Sequence, residues 1–92
     1  MSKWNNKQIL ITGAGSGIGQ ALAKLFAGQD AKLILTDINK DNLNTTTNEL
    51  IHAVTLSQVA DVSNKNDWLK LAQDIKNEVG YLDVLINNAG MT

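Results

Sequence analysis

Three short runs of Ile, Leu and Val punctuate the chain, in Gln8–Thr12, Lys32–Asp37 and Asp83–Asn87, each with three consecutive apolar residues between polar ends. Runs of this kind predict strands buried on both faces, as in parallel sheets. Between them the period changes. From Gly17 to Ala27 the apolar residues Ile18, Ala21, Leu22, Leu25 and Phe26 fall on one helical face, and Gly28 supplies a stop. From Asn64 to Val79 a second stripe runs through Trp68, Ala72, Ile75 and Val79, widened by Leu69 and Leu71, with Ser63 as the expected cap and Gly80 as the stop. Lys40–Ile51 predicts a weaker helix: Asn39 is a good cap, but Thr45–Thr46–Thr47 is β-branched and only Leu43, Leu50 and Ile51 are apolar. Ala53–Gln58, where Val54 and Leu56 alternate with polar residues, predicts a further strand.

The order is therefore β-α-β-α-β-α-β, which predicts an α/β fold with a parallel sheet and right-handed crossovers. In a Rossmann-like doubly wound sheet the first four strands take the spatial order 3-2-1-4. Residues 1–92 then form a single partial domain, truncated after four strands. Helices one and two should cover one face of the sheet and helix three the other. The winding reverses between strands one and four, and ligands of such folds bind in the crevice at that reversal.

Four of the seven glycines cluster there, in Thr12-Gly13-Ala14-Gly15-Ser16-Gly17-Ile18-Gly19, directly after strand one and opening helix one. Glycine lets backbone approach a phosphate closely, and a helix N-terminus offers free N–H groups with partial positive charge. The strict G-x-G-x-x-G pattern fails, because its third glycine would fall on Ile18 or Gln20; the pattern that fits is T-G-x-x-x-G-x-G. A P-loop is excluded, since no Lys-Ser/Thr pair follows. The competing reading is a tight strand-to-helix turn with no ligand. Asp37 ends strand two, where an acid hydrogen-bonds adenosine ribose hydroxyls and repels a 2′-phosphate, or else caps the next helix. With no Arg in the chain to clamp a 2′-phosphate, NAD is favoured over NADP.

Composition narrows the classes further. Eight Lys scattered among nine acids leave a net charge of −1 and no basic stripe for nucleic acid. No apolar run exceeds three residues, so neither a membrane span nor a secretory signal core is present, and a cytoplasmic location is expected. No Cys and a single His, His52, leave no expected metal centre.

Three motifs in order carry a resemblance to the short-chain dehydrogenase/reductase family: Thr12–Gly19 as T-G-x-x-x-G-x-G, Asp61-Val62 after strand three, and Asn87-Asn88-Ala89-Gly90 after strand four. The resemblance implies an oxidoreductase that interconverts alcohol and carbonyl by hydride transfer with a dinucleotide cofactor. It implies that Gly13, Gly15, Ser16, Gly17, Ile18 and Gly19 hold the pyrophosphate and Asp37 the adenosine ribose. Asp61 would accept from the adenine amino group, Val62 would pack beside the ring, and Asn88, Ala89 and Gly90 would border the cofactor's ribose near the crevice. Asn87 is expected to be structural.

Catalysis in that family uses a Ser and a Tyr-x-x-x-Lys pair. The one Tyr here, Tyr81, has Leu85 at i+4, and no Lys follows Lys76, so no catalytic residue is assigned and this chain alone is expected to be inactive. Two other readings stay open: a non-catalytic adenine-dinucleotide module, and a half-fold that pairs with itself or with a complete relative. Strand four should be an exposed apolar edge, which predicts self-association through it.

Overall fold

The three residues Ile9, Leu10 and Ile11 are all essentially without solvent contact, which places their strand in the middle of the sheet with both faces covered. The computed structural model describes residues 2–89. The elements are β1 (Gln8–Thr12), α1 (Gly17–Ala27), β2 (Lys32–Asp37), α2 (Lys40–Glu49), β3 (Val54–Val59), α3 (Lys65–Glu78) and β4 (Val84–Asn87). All pairings are parallel and the spatial order is β3-β2-β1-β4, as the alternation of strands and helices predicts.

The two faces bury different sets. Ile9, Ile11, Leu33 and Leu35 pack with Ala23 and Ala27 of α1 and Leu43 of α2, while Leu10 and Ile34 pack on the other side with Leu71 and Ile75 of α3. Each fully buried Leu or Ile contributes roughly 1.5–3 kcal/mol relative to exposure, so the double-sided strands β1 and β2 carry most of the core. Trp4 closes the first cluster with its ring edge-on to Phe26, centroids 5.0 Å apart.

Several local expectations shift. The buried face of α1 is Gly19, Ala23 and Ala27, flanked by the partly buried Leu22 and Phe26; Ile18 and Leu25 are exposed. Small residues lie against the sheet because β1 and the loop after it come very close to the helix. The cap of α3 is Asn64, not Ser63: the Asn64 side chain accepts from the Asp67 N–H, and Ser63 turns its hydroxyl to Asp61. Gly80 does end α3, with φ +95° and its N–H on the Ile75 carbonyl. Leu69 is exposed, so Leu71 and Ile75 are the residues of α3 that enter the core. The weak helix forms, capped by Asn39 but ending at Glu49, and the strands after it run Val54–Val59 and Val84–Asn87.

The threonines of α2 explain why it forms despite poor propensity. Thr46 is fully buried and donates to the Ala14 carbonyl at 3.0 Å, and Thr47 shares a 2.7 Å hydrogen bond with Ser57. Contacts to the loop after β1 and to β3 outweigh the modest helix penalty of β-branched residues, about 0.7 kcal/mol or less apiece.

Candidate functional site

At the C-terminal ends of the strands the loops after β1, β2, β3 and β4 enclose a crevice of about 720 Å³. Gly13, Ser16, Gly17 and Ile18 form one wall, Asp37 and Ile38 a second, Asp61 and Val62 a third, and Asn88 and Ala89 the side nearest β4. This is the winding reversal, since β1 and β4 are neighbours.

The glycine loop is held from several sides. Gly13 adopts φ +64°, a left-handed conformation that favours glycine. Its carbonyl accepts from the Ser16 hydroxyl at 2.7 Å and from Asn88 Nδ2 at 3.2 Å. The Ser16 hydroxyl also accepts from the Gly19 N–H at 3.3 Å and from Asn88 Nδ2 at 3.1 Å. A hydroxyl has one proton and two lone pairs, so Ser16 Oγ is saturated within the loop. On the other side Ala14 N donates to the Thr36 carbonyl at 3.0 Å, and Gly15 N donates to Asp37 Oδ2 at 2.9 Å.

The glycines therefore divide by task. A Cβ on Gly15 would sit 2.6 Å from Asn42 Cβ and 2.7 Å from the Asn42 carbonyl carbon, so this glycine lets α2 pack against the loop. A Cβ on Gly19 would collide with the Gly13 carbonyl oxygen, so this glycine lets α1 start directly above the turn. A Cβ on Gly17 would meet no atom within 4 Å beyond its chain neighbours and its own helix backbone, and this glycine lines the crevice. The N–H groups of Gly17 and Ile18 have no acceptor among the described residues, as the first turn of a helix leaves them. Two free N–H groups at the positive end of α1 form a cradle for an anion.

Asp37 has two attachments. Its Oδ2 receives the Gly15 N–H and its Oδ1 receives the Asn39 N–H at 2.8 Å, so the acid ties β2 to the glycine loop and shapes the turn into α2. Each carboxylate oxygen keeps a lone pair for a further donor. Asp61 is arranged similarly: Oδ1 accepts from Ser63 N at 3.0 Å and from the Ser63 hydroxyl at 2.5 Å, which leaves Oδ2 available. Ile18 is 60% exposed and Ile38 68% exposed, both on the crevice wall. Two exposed isoleucines on the crevice wall suit the flat apolar face of a ligand.

The residues after β4 close the side. Thr12 Oγ1 donates to Asn87 Oδ1 at 3.0 Å and accepts from Ala89 N at 3.1 Å, so Asn87 makes a structural hydrogen bond while also lining the crevice. Asn88 is buried, with its amide turned to the glycine loop. Gly90 lies outside the described residues. Thr36, Ile38, Ala60 and Ser63 also line the crevice and were not singled out from the motifs. Ile38 carried a legible signal, an apolar residue just past the acid that ends a strand. Thr36 carried none, since a threonine inside a strand is ordinary.

Tyr81 and His52 stand apart from the crevice lining. Tyr81 lies in the α3–β4 connection with its hydroxyl 3.5 Å from the Asn6 carbonyl, and His52 is exposed between α2 and β3. Among the described residues no group of three or more His, Cys, Asp or Glu is placed to hold a metal ion, and no helix is long and apolar enough to cross a membrane.

Fold and crevice together define a Rossmann-like α/β domain with a glycine loop opening its first helix at the crevice and an acid at the end of its second strand. The family model for short chain dehydrogenases matches residues 7–92, and the chain belongs to that family. It is 41% identical over 93 residues to the uncharacterized oxidoreductase YxbG of Bacillus subtilis, covering 99% of this chain and 34% of that protein. Among solved structures it is similar to a short chain dehydrogenase/reductase from Burkholderia phymatum in complex with NAD, with TM-score 0.83, 34% identity and coverage of 92% of this chain and 31% of the other. It is also similar to the 3-ketoacyl-(acyl-carrier-protein) reductase of Brucella melitensis complexed with NADH, with TM-score 0.84, 34% identity and coverage of 90% and 34%. The chain thus spans about a third of the length of the relatives it matches.

Proposed function

We propose that this chain is the NAD(H)-binding portion of a cytoplasmic short-chain dehydrogenase/reductase whose complete form interconverts an alcohol and a carbonyl compound. The observation that carries this reading is the crevice itself, where Gly17 and Ile18, whose N–H groups have no acceptor among the described residues, and Asp37 line one open volume. The pyrophosphate belongs at the start of α1, where those N–H groups and the helix dipole favour negative charge. Asp37 receives the adenosine ribose hydroxyls on its remaining lone pairs, and its charge excludes a 2′-phosphate. Val62 and Ile38 flank the adenine, and Asp61 Oδ2 accepts from its amino group. Asn88 serves the site by fixing the Gly13–Ser16 turn, and Ala89 borders the nicotinamide side. When bound, the dinucleotide supplies or takes up the hydride; the 92 residues hold it and exclude the phosphorylated form.

Calorimetric titration of the chain with NADH, ADP-ribose and NADPH tests the assignment. NADH and ADP-ribose should bind with similar affinity, and NADPH at least tenfold more weakly, or about 1.4 kcal/mol. Asp37→Asn is the milder variant, because it keeps one of the two oxygens that accept from the Gly15 and Asn39 N–H groups, whereas Asp37→Ala removes both. The asparagine should narrow the NADH–NADPH gap. A folded chain that binds none of the three ligands would refute the reading.

The outer edge of β4 favours a second element of function, self-association. Among the described residues no strand pairs with that edge, Leu85 is 47% exposed, and beside it Leu10, Trp68, Leu71, Ile75 and Leu82 line an apolar groove of about 270 Å³. An unpaired strand beside exposed apolar surface invites a second copy. Sedimentation should show concentration-dependent assembly, and Leu85→Lys should shift the chain to monomer. A wild-type chain that stays monomeric at high concentration would exclude it.

A further inference from the structure

The Ala14 carbonyl and the Gly15 N–H belong to one planar peptide unit of the glycine loop, and that unit is held at both edges. The Thr46 hydroxyl of α2 donates to the carbonyl at 3.0 Å, and the N–H donates to Asp37 Oδ2 at 2.9 Å. Ala14 and Thr46 are both without solvent contact, so water cannot take over the donor's part. The Thr46 hydroxyl has a second acceptor in its own helix, the Asn42 carbonyl at 3.4 Å, but its one proton is better placed for the nearer Ala14 oxygen. Valine would fill nearly the same space, so burial alone does not require a hydroxyl here.

Thr46 is not among the residues that line the crevice, so its effect there passes through the peptide it holds. Rotating that peptide by half a turn would point the carbonyl oxygen at the Asp37 carboxylate and take the N–H away from Oδ2. Glycine at position 15 sets no backbone preference against the rotation, so the hydrogen bonds must prevent it. The other carboxylate oxygen receives the N–H of Asn39, the cap of the same helix. Through Asn39 directly and Thr46 indirectly, α2 therefore governs both oxygens of Asp37. We infer that Thr46 is a positioning residue of the dinucleotide site: it fixes the 14–15 peptide, whose N–H aims the Asp37 carboxylate that selects a free over a phosphorylated 2′-hydroxyl. This rests on the nucleotide-binding reading above and extends its specificity determinant from β2 into α2.

Thr46→Val and Thr46→Ser in the 92-residue chain, titrated with ADP-ribose, NADH and NADPH beside a melting curve, test this. Thr46→Val should weaken ADP-ribose and NADH roughly three- to tenfold, the span expected of one hydrogen bond, and leave NADPH unchanged. The preference for NADH should therefore narrow by about threefold or more. Thr46→Ser keeps the donor and should keep affinity and preference to within about twofold. In the Asp37→Asn chain, adding Thr46→Val should not narrow the preference further, since the carboxylate it acts on is gone. If Thr46→Val does not fold, Thr46→Cys, a weaker donor of similar size, takes its place and should change the preference in the same direction. An unaltered preference in a folded Thr46→Val or Thr46→Cys chain would overturn the inference and leave Thr46 a packing residue of α2. Failure of the wild-type chain to bind ADP-ribose would instead overturn the nucleotide reading and this inference with it.

Discussion

Gly19→Ala is expected to abolish or severely weaken the cooperative fold. Its new methyl group would overlap the Gly13 carbonyl oxygen and lie 2.7 Å from the Gly13 carbonyl carbon and 2.9 Å from Asn88 Nδ2. The first two neighbours are backbone at the left-handed Gly13, and the third is the buried amide that clamps the same turn. None has a free rotamer with which to retreat. Overpacking of a tight site costs about 1–3 kcal/mol and occasionally more, and the backbone clash puts this substitution at the upper end or beyond. The gain in helix propensity on replacing glycine, about 1 kcal/mol, does not offset it. For a domain of this size a loss of about 3 kcal/mol lowers the melting temperature by roughly 12–24 °C. Thermal unfolding followed by circular dichroism reads it directly, and a melting temperature within a few degrees of wild type would show that α1 rises off the turn at little expense.

Gly17→Ala should do the opposite to stability and the most to binding. Beyond its chain neighbours and its own helix backbone, no atom lies within 4 Å of the added methyl group, and Gly17 does not require the left-handed conformation. Melting should stay the same or rise, because alanine restricts the unfolded chain by about 0.4–1 kcal/mol at a compatible site. Yet Gly17 lines the crevice and carries one of the two free N–H groups proposed to receive the pyrophosphate. The methyl group would occupy space that the phosphate needs, and ADP-ribose affinity should fall at least tenfold. Calorimetric titration beside the melting curve gives both readings from one preparation. A stable Gly17→Ala chain that binds as wild type would move the pyrophosphate away from the start of α1. The pair of substitutions, two residues apart in one motif, separates a glycine needed by the fold from one needed by the site.

That separation was not legible in the motif. The spacing T-G-x-x-x-G-x-G located the loop, and the strand before it and helix after it supplied the context. It could not say that the Gly15 N–H is bound to Asp37 or that its missing side chain makes room for α2, since Asn42 is 27 residues away. The same limit applies to Asp37, where ribose ligand and turn-former were alternatives. Its two oxygens bind Gly15 and Asn39, so the structural part is shown and the ribose part rests on the lone pairs that remain.

Strand and helix positions were legible because burial imposes its own period. Runs such as Ile9–Ile11 and Leu33–Leu35 have no polar face to turn to water, which requires cover on both sides and therefore crossover helices. Which residues of a helix face the sheet was harder. Hydrophobicity pointed to Ile18 and Leu25 of α1, whereas close approach to β1 selects for small volume and buries Gly19, Ala23 and Ala27.

The order of elements and the parallel sheet were legible in the sequence through local period and crossover handedness, and the doubly wound arrangement they point to supplied the strand order β3-β2-β1-β4 and the location of the crevice. Tertiary structure decided which glycine opens to the crevice, which polar groups are already engaged, and that the Thr36 hydroxyl has no partner among the described residues. Hydrogen-bond saturation depends on residues distant in the chain, as with Ser16 and Asn88, 72 positions apart, and only the folded chain brings them together.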